Sequence, residues 1–101
     1  MFIYNFYVGT ADKNTLKQEL PERLFYTCFD YVFENYTITK VQGRYTMNDS
    51  KTVIIEDSFK VTVIAVYSDE ELKEKVSYLK TYLNQESILV TIDTTSVINY
   101  M

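Results

Sequence analysis

The side chains able to do chemistry are few and widely spaced along 101 residues. Cys28 falls four residues from both Leu24 and Val32, and the carboxylates Glu56 and Asp57 interrupt a β-rich run. Asp69, Glu70 and Glu71 follow Ser68, Gln42 and Arg44 stand on another β-rich stretch, and Gln85 follows a helical one. There is no histidine, so the commonest general base and metal ligand is missing, and with one cysteine neither an ordinary zinc site nor a Cys–His pair can be built. Gly9 and Gly43, the only glycines, are too far apart for a glycine-rich phosphate loop. No metal and no cofactor are expected, and no residue is assigned a catalytic role.

Each remaining group has a structural explanation to be weighed against a chemical one. Cys28 on an apolar helical stripe reads as a small buried hydrophobe rather than a nucleophile. The acidic run behind Ser68 is what a helix start prefers, with Glu71 completing a capping box. Glu56 and Asp57 are adjacent on a strand and point to opposite faces, which suits solvation better than a shared cation. Arg44 is the best anion-binding candidate, because its planar fork matches carboxylate or phosphate.

The elements that position these groups follow from periodicity. Residues 2–8 alternate as a strand, with Phe2, Tyr4, Phe6 and Val8 on one face and Ile3, Asn5 and Tyr7 on the other. Leu16, Leu20, Leu24, Cys28 and Val32, thickened by Phe25, Phe29 and Phe33, predict a first helix. Pro21 places its regular start near Leu20, and its end is expected around Asn35. Residues 36–47 and 52–67 predict a long hairpin with a polar tip at 48–51 and a bulge at 56–58. In the first of these strands Thr37, Thr39, Val41 and Tyr45 are read as facing the helices, which puts Ile38, Lys40, Gln42 and Arg44 on the opposite side. Ser68 opens a second helix to about Gln85 with a stripe of Leu72, Val76, Leu79 and Leu83, supported by Asp69–Lys73 and Glu71–Lys75 pairs. A strand at 87–92, a turn at 93–95 and a short extended piece at 96–100 complete the chain. The fold class is α+β: the order β-α-β-β-α-β predicts one ferredoxin-like domain over residues 1–101. Both helices cover one face of a four-stranded antiparallel sheet whose first and third strands are central.

Composition limits the partners. Ten basic residues against fourteen acidic ones give a net charge of −4, which repels a phosphate backbone and makes nucleic acid an unexpected partner. No apolar run approaches the roughly 18 residues of a membrane span, no basic leader precedes residues 2–4, and one cysteine makes no internal disulfide. A cytoplasmic location without membrane attachment is expected.

The helix-free sheet face holds what folding alone does not explain. Ile3, Ile38, Ile64, Val66 and Leu89 fall on it beside Tyr7, Gln42 and Arg44, a more apolar mixture than a wet sheet face carries. Gly43, Arg44 and Tyr45 on the hairpin, Glu56 on its return strand, and the segment Gln85, Glu86, Ser87, Ile88, Leu89 resemble a bacterial ferredoxin-like domain family of unknown function. That family has a Gly-x-aromatic hairpin, a glutamate, and a Gln-x-Ser-aliphatic-Leu segment; it usually carries Trp where this chain has Tyr45. The resemblance implies the fold and marks Arg44, Glu56 and Gln85 as candidates, and it implies no reaction.

Two functions compete. The first is a non-enzymatic interaction module, a homodimer or a binder of another protein through the open face or an edge strand. It would be an acidic inhibitor of the phage or mobile-element type that occupies a basic groove on a nucleic-acid-handling protein. This reading is preferred because no catalytic set is evident. The alternative is a binding protein or enzyme for a small anionic ligand on the open face, with Arg44 holding the anion and Tyr7, Glu56 or Gln85 orienting it.

Overall fold

Four strands and two helices alternate in a computed structural model that describes residues 1–46 and 51–93. They are β1 (Phe2–Gly9), α1 (Glu22–Val32), β2 (Thr37–Thr46), β3 (Val53–Ala65), α2 (Asp69–Tyr82) and β4 (Leu89–Asp93). The sheet order is β2-β3-β1-β4 with antiparallel neighbours throughout, so β1 and β3 are central, as in a ferredoxin-like sandwich. The expected tip at 48–50, and the turn and final piece from residue 94 onward, lie outside the described residues.

The core forms where the helix-facing sides of β1 and β3 meet the helices. Tyr4, Phe6 and Val8 lie beside Phe59, Val61 and Val63, and Phe25, Phe29, Val32, Phe33, Leu79 and Leu83 cover them. Aromatic pairs tie the layers together, with ring centroids 4.8 Å apart for Phe6–Phe33 and 5.3 Å for Phe25–Phe59. Each phenylalanine fully withdrawn from water contributes about 2–3 kcal/mol.

Both helices start as local chemistry dictates. Ser68 accepts from the Glu71 N–H while the Glu71 carboxylate accepts from the Ser68 N–H, a complete capping box. Pro21 is the N-cap of α1, and its fixed φ suits that junction. The buried stripe of α1 runs through Phe25, Phe29 and Val32, while Leu16 and Leu24 are exposed, so the leucine spacing marked the edge of the stripe and not its centre. α1 carries no basic residue in its last turn. Lys75 of α2 supplies that charge instead, donating to the Val32 carbonyl at 2.9 Å between the rings of Tyr67 and Phe33. The expected Glu71–Lys75 pair gives way to this, since Glu71 is held by the cap.

Two expectations about the hairpin are corrected. β3 has no bulge: thirteen residues pair without a break, Glu56 opposite Gly43 and Asp57 opposite Gln42. The polar triplet marks where β3 passes beyond the end of β1, whose last pair is Gly9 with Ser58. The phase of β2 is also reversed. Ile38 pairs with Val61 and Lys40 with Phe59, so Ile38, Lys40, Gln42 and Arg44 lie on the helix side. Thr37, Thr39, Val41 and Gly43 lie on the free side. Alternation in β2 separates two faces but carries no strong apolar contrast to say which is inner, and Ile38 settles it by packing on the core.

Candidate functional site

At one end of the sheet three distant segments converge on the loop that leaves β1. Gly9 ends β1, and residues 10–12 turn away beside the outgoing half of β3. Thr10 donates to the Asp57 carbonyl through both its N–H (3.1 Å) and its Oγ1 (2.8 Å), which fastens the loop to β3. The Ala11 N–H donates to Glu56 Oε2 at 2.8 Å. From the other side Gln85, just past α2, donates through Nε2 to the Ala11 carbonyl at 2.9 Å and to the Leu83 carbonyl at 3.3 Å.

Local conformation explains why α2 delivers Gln85 there. Asn84 has φ +48°, the left-handed position that closes a helix, and the Gln85 N–H reaches back to the Lys80 carbonyl at 3.0 Å. The reversed chain places the Asn84 amide on Asp12 and its carbonyl under the Lys13 N–H at 3.0 Å. Asp12 also accepts from the N–H groups of Asn14 and Thr15. The Asn84 amide first, then these backbone donors, hold its carboxyl below the usual range.

The free face at this end carries two positions without a side chain of their own. Gly9 and Gly43, both of the chain's glycines, flank β3 on that side, opposite Ser58 and Glu56 respectively. The Glu56 side chain folds over Gly9: a methyl there would lie 2.5 Å from Oε1 and 2.9 Å from Cδ. At Gly43, among the described residues, a methyl would meet Ser58 Oγ at 3.7 Å and the Glu56 carbonyl oxygen at 4.0 Å, both ordinary contacts. The result is a floor of backbone and Ser58, with the Glu56 carboxylate at one side. Tyr7 lies on the same face two residues before Gly9, and Lys60, its cross-strand partner, places Nζ 5.9 Å from the ring centre. Glycine at position 43 leaves the main chain there without a side chain of its own, whereas over Gly9 the Glu56 carboxylate takes that place.

The sequence-derived candidates divide accordingly. Tyr7 and Glu56 share the free face and the same end of the sheet. Gln85 is drawn to the loop but is only 6% exposed, with its amide nitrogen engaged by main chain. Gln42 and Arg44 lie on the other side of β2 and do not face Glu56. There Gln42 lines a cleft of about 340 Å³ with Thr10, Gln18, the Glu22–Lys40 ion pair and Asp57, above Phe59. Of the interface candidates, Ile3, Ile64 and Leu89 lie on the free face, Ile38 faces the helices, and Val66 lies past the last paired residue of β3. In the centre of that face Asn5 is buried between Thr62, which donates to its Oδ1 at 2.8 Å, and Thr91, which accepts from its Nδ2 at 3.3 Å. Burial raises the Cys28 thiol above its ordinary value, which disfavours the nucleophilic thiolate.

No protein-family model matches the chain, and a search of curated proteins finds no match. Among solved structures it is similar to a phage SAM lyase in complex with S-methyl-5'-thioadenosine, with a TM-score of 0.64 and 20% identity over 91% of this chain and 79% of that one. The phage SAM lyase in its apo state gives a TM-score of 0.63 and 19% identity, over 91% and 78% of the two chains. At this identity the likeness establishes a shared fold. It also runs against two expectations, that of a non-enzymatic inhibitor-type module and that of a chain undecided between module and enzyme but leaning away from an enzyme. These two solved chains are lyases, so the sparse chemical repertoire that favoured an interaction module does not exclude catalysis.

The paired glycines are the signal that sequence reasoning missed. Their separation of 34 positions excluded a phosphate loop, but it did not exclude two glycines flanking one strand from opposite sides. Among the described residues no helix is long and apolar enough to cross a membrane.

Proposed function

We propose that this chain is a small-molecule lyase that binds a sulfonium nucleoside of the S-adenosylmethionine type on the floor between Gly9 and Gly43. The observation that carries the reading is the Glu56 carboxylate, fixed by the Ala11 N–H over Gly9 on the free face of the sheet, in a fold shared with phage SAM lyase. A sulfonium is a fixed cation, and a positioned carboxylate in a partly desolvated setting is its natural counter-charge. Tyr7 adds a ring face against which a base or cation can rest.

The chemistry asks little of the protein. When the sulfonium loses the bond to the γ-carbon of the amino-acid arm, the bonding pair stays on sulfur and S-methyl-5'-thioadenosine leaves as a neutral thioether. The arm can close on itself, its own carboxylate oxygen forming the new bond to that carbon, with no water or redox partner consumed. Holding the arm in that geometry, next to Glu56, is the contribution required of the site.

The test is to incubate the chain with S-adenosylmethionine and follow S-methyl-5'-thioadenosine by chromatography. Glu56→Gln, which preserves shape and removes charge, is the control. Expected is product release by the wild-type chain and a loss of roughly 100-fold in the variant, as when a group that holds the reacting arm in place is lost. Product formation no greater than in Glu56→Gln refutes the proposal.

A further inference from the structure

We infer that Gln85 is a positioning residue: it does not touch the ligand but holds Glu56 in place through the two peptide planes on either side of Ala11. This rests on the reading of Glu56 as the carboxylate that faces the ligand. The Ala11 N–H donates to Glu56 Oε2, and the Ala11 carbonyl accepts from Gln85 Nε2, so one residue joins the two side chains. The peptide that carries this carbonyl is held at its other end too, since the Asp12 N–H donates to the Lys17 carbonyl at 2.7 Å. A peptide bonded on both sides is polarised and resists rotation about its flanking bonds.

Burial separates this role from ligand contact. Gln85 is 6% exposed and its amide nitrogen is turned inward to two carbonyls. Glu56, half-buried and on the free face, is the member of the relay that meets solvent. Asn84 reinforces the arrangement through Asp12 and Lys13, so the whole C-terminal turn of α2 acts as a clamp on the loop. A core-filling glutamine would need no such pairing of its donors with a loop 74 residues away.

The experiment compares Gln85→Met, which keeps length and volume but has no donor, with wild type and Glu56→Gln. Two readouts are taken on the full chain: the Ala11 amide proton resonance in isotope-labelled protein, and kcat and KM for S-adenosylmethionine cleavage. In Gln85→Met the Ala11 amide should move toward its position in Glu56→Gln and exchange with solvent faster. The rate constant kcat should fall about 10- to 100-fold, the scale of a substrate-positioning group displaced by about 1 Å, with KM nearly unchanged. If Gln85→Met does not fold, Asn84→Gly removes one arm of the same clamp while tolerating the local φ, and a smaller shift of the same amide in the same direction is expected. An unmoved Ala11 amide, or a raised KM at constant kcat, overturns the inference. Should the wild-type chain cleave no S-adenosylmethionine, the lyase reading fails, and the amide resonance still decides whether Gln85 positions Glu56.

Discussion

Alanine at Gly9 separates the needs of the fold from those of the site. The added methyl would lie 2.5 Å from Glu56 Oε1, while ordinary contact begins at 3.4 Å, so the carboxylate must retreat by about 0.9 Å. A retreat of that size takes the 2.8 Å bond from the Ala11 N–H out of hydrogen-bonding range. The backbone itself accepts alanine, because neither glycine has a positive φ. Loss of a bond to a charged group costs about 1.5–3 kcal/mol, reduced here because the freed carboxylate is half-exposed and rehydrates. Lower entropy of the unfolded chain returns about 0.4–1 kcal/mol. The net destabilisation should stay under about 2 kcal/mol, a fall in Tm of at most roughly 15 °C for a domain of this length. Activity should fall about 100-fold, the scale of a 1 Å misplacement of a group that positions the reacting arm. Urea unfolding and release of S-methyl-5'-thioadenosine measure the two effects. A Gly9→Ala chain that cleaves S-adenosylmethionine at the wild-type rate would refute the claim that the place of Glu56 over Gly9 matters.

Two further outcomes follow from the packing. Lys75→Met keeps the stem between Tyr67 and Phe33 but removes the charged donor to Val32; a loss of about 1–2 kcal/mol is expected by urea unfolding, and an unchanged midpoint would show that the end of α1 needs no partner charge. Tyr36 donates its phenol to Asp30, and burial, followed by that bond and the Asp30 charge, pushes its pKa up from 10.0 to about 12. The folded state therefore holds this proton more tightly than the unfolded one. The corresponding stability is complete below pH 10 and is lost as the pH rises from 10 through about 12. Tyr36→Phe should flatten that part of the stability profile, and an identical alkaline profile in the variant would contradict the assignment.

Much of the fold was legible because its signals are local. The capping box at Ser68 and Glu71, the alternation of β1, and the stripe of Leu72, Val76, Leu79 and Leu83 each lie within one element and obey its own period. Their order then leaves few topologies for a sheet with right-handed crossovers. The face of β2 was not legible, because a strand of threonines, Ile38, Lys40 and Gln42 carries too little apolar contrast to define its inner side.

What the chain by itself determined was the sequence of elements, the central place of β1 and β3, and the presence of Tyr7, Glu56 and Gln85 as polar groups worth following. Tertiary structure alone decided which of them meet. Ala11 is 45 residues from Glu56 and 74 from Gln85, and Gly9 and Gly43 lie on opposite sides of one strand only because β1 and β2 flank β3 in one register. Such meetings depend on packing the whole sheet against both helices, and no short-range period records them. The same packing turns Arg44 away from Glu56 and leaves a carboxylate, two glycines and a tyrosine on the open face.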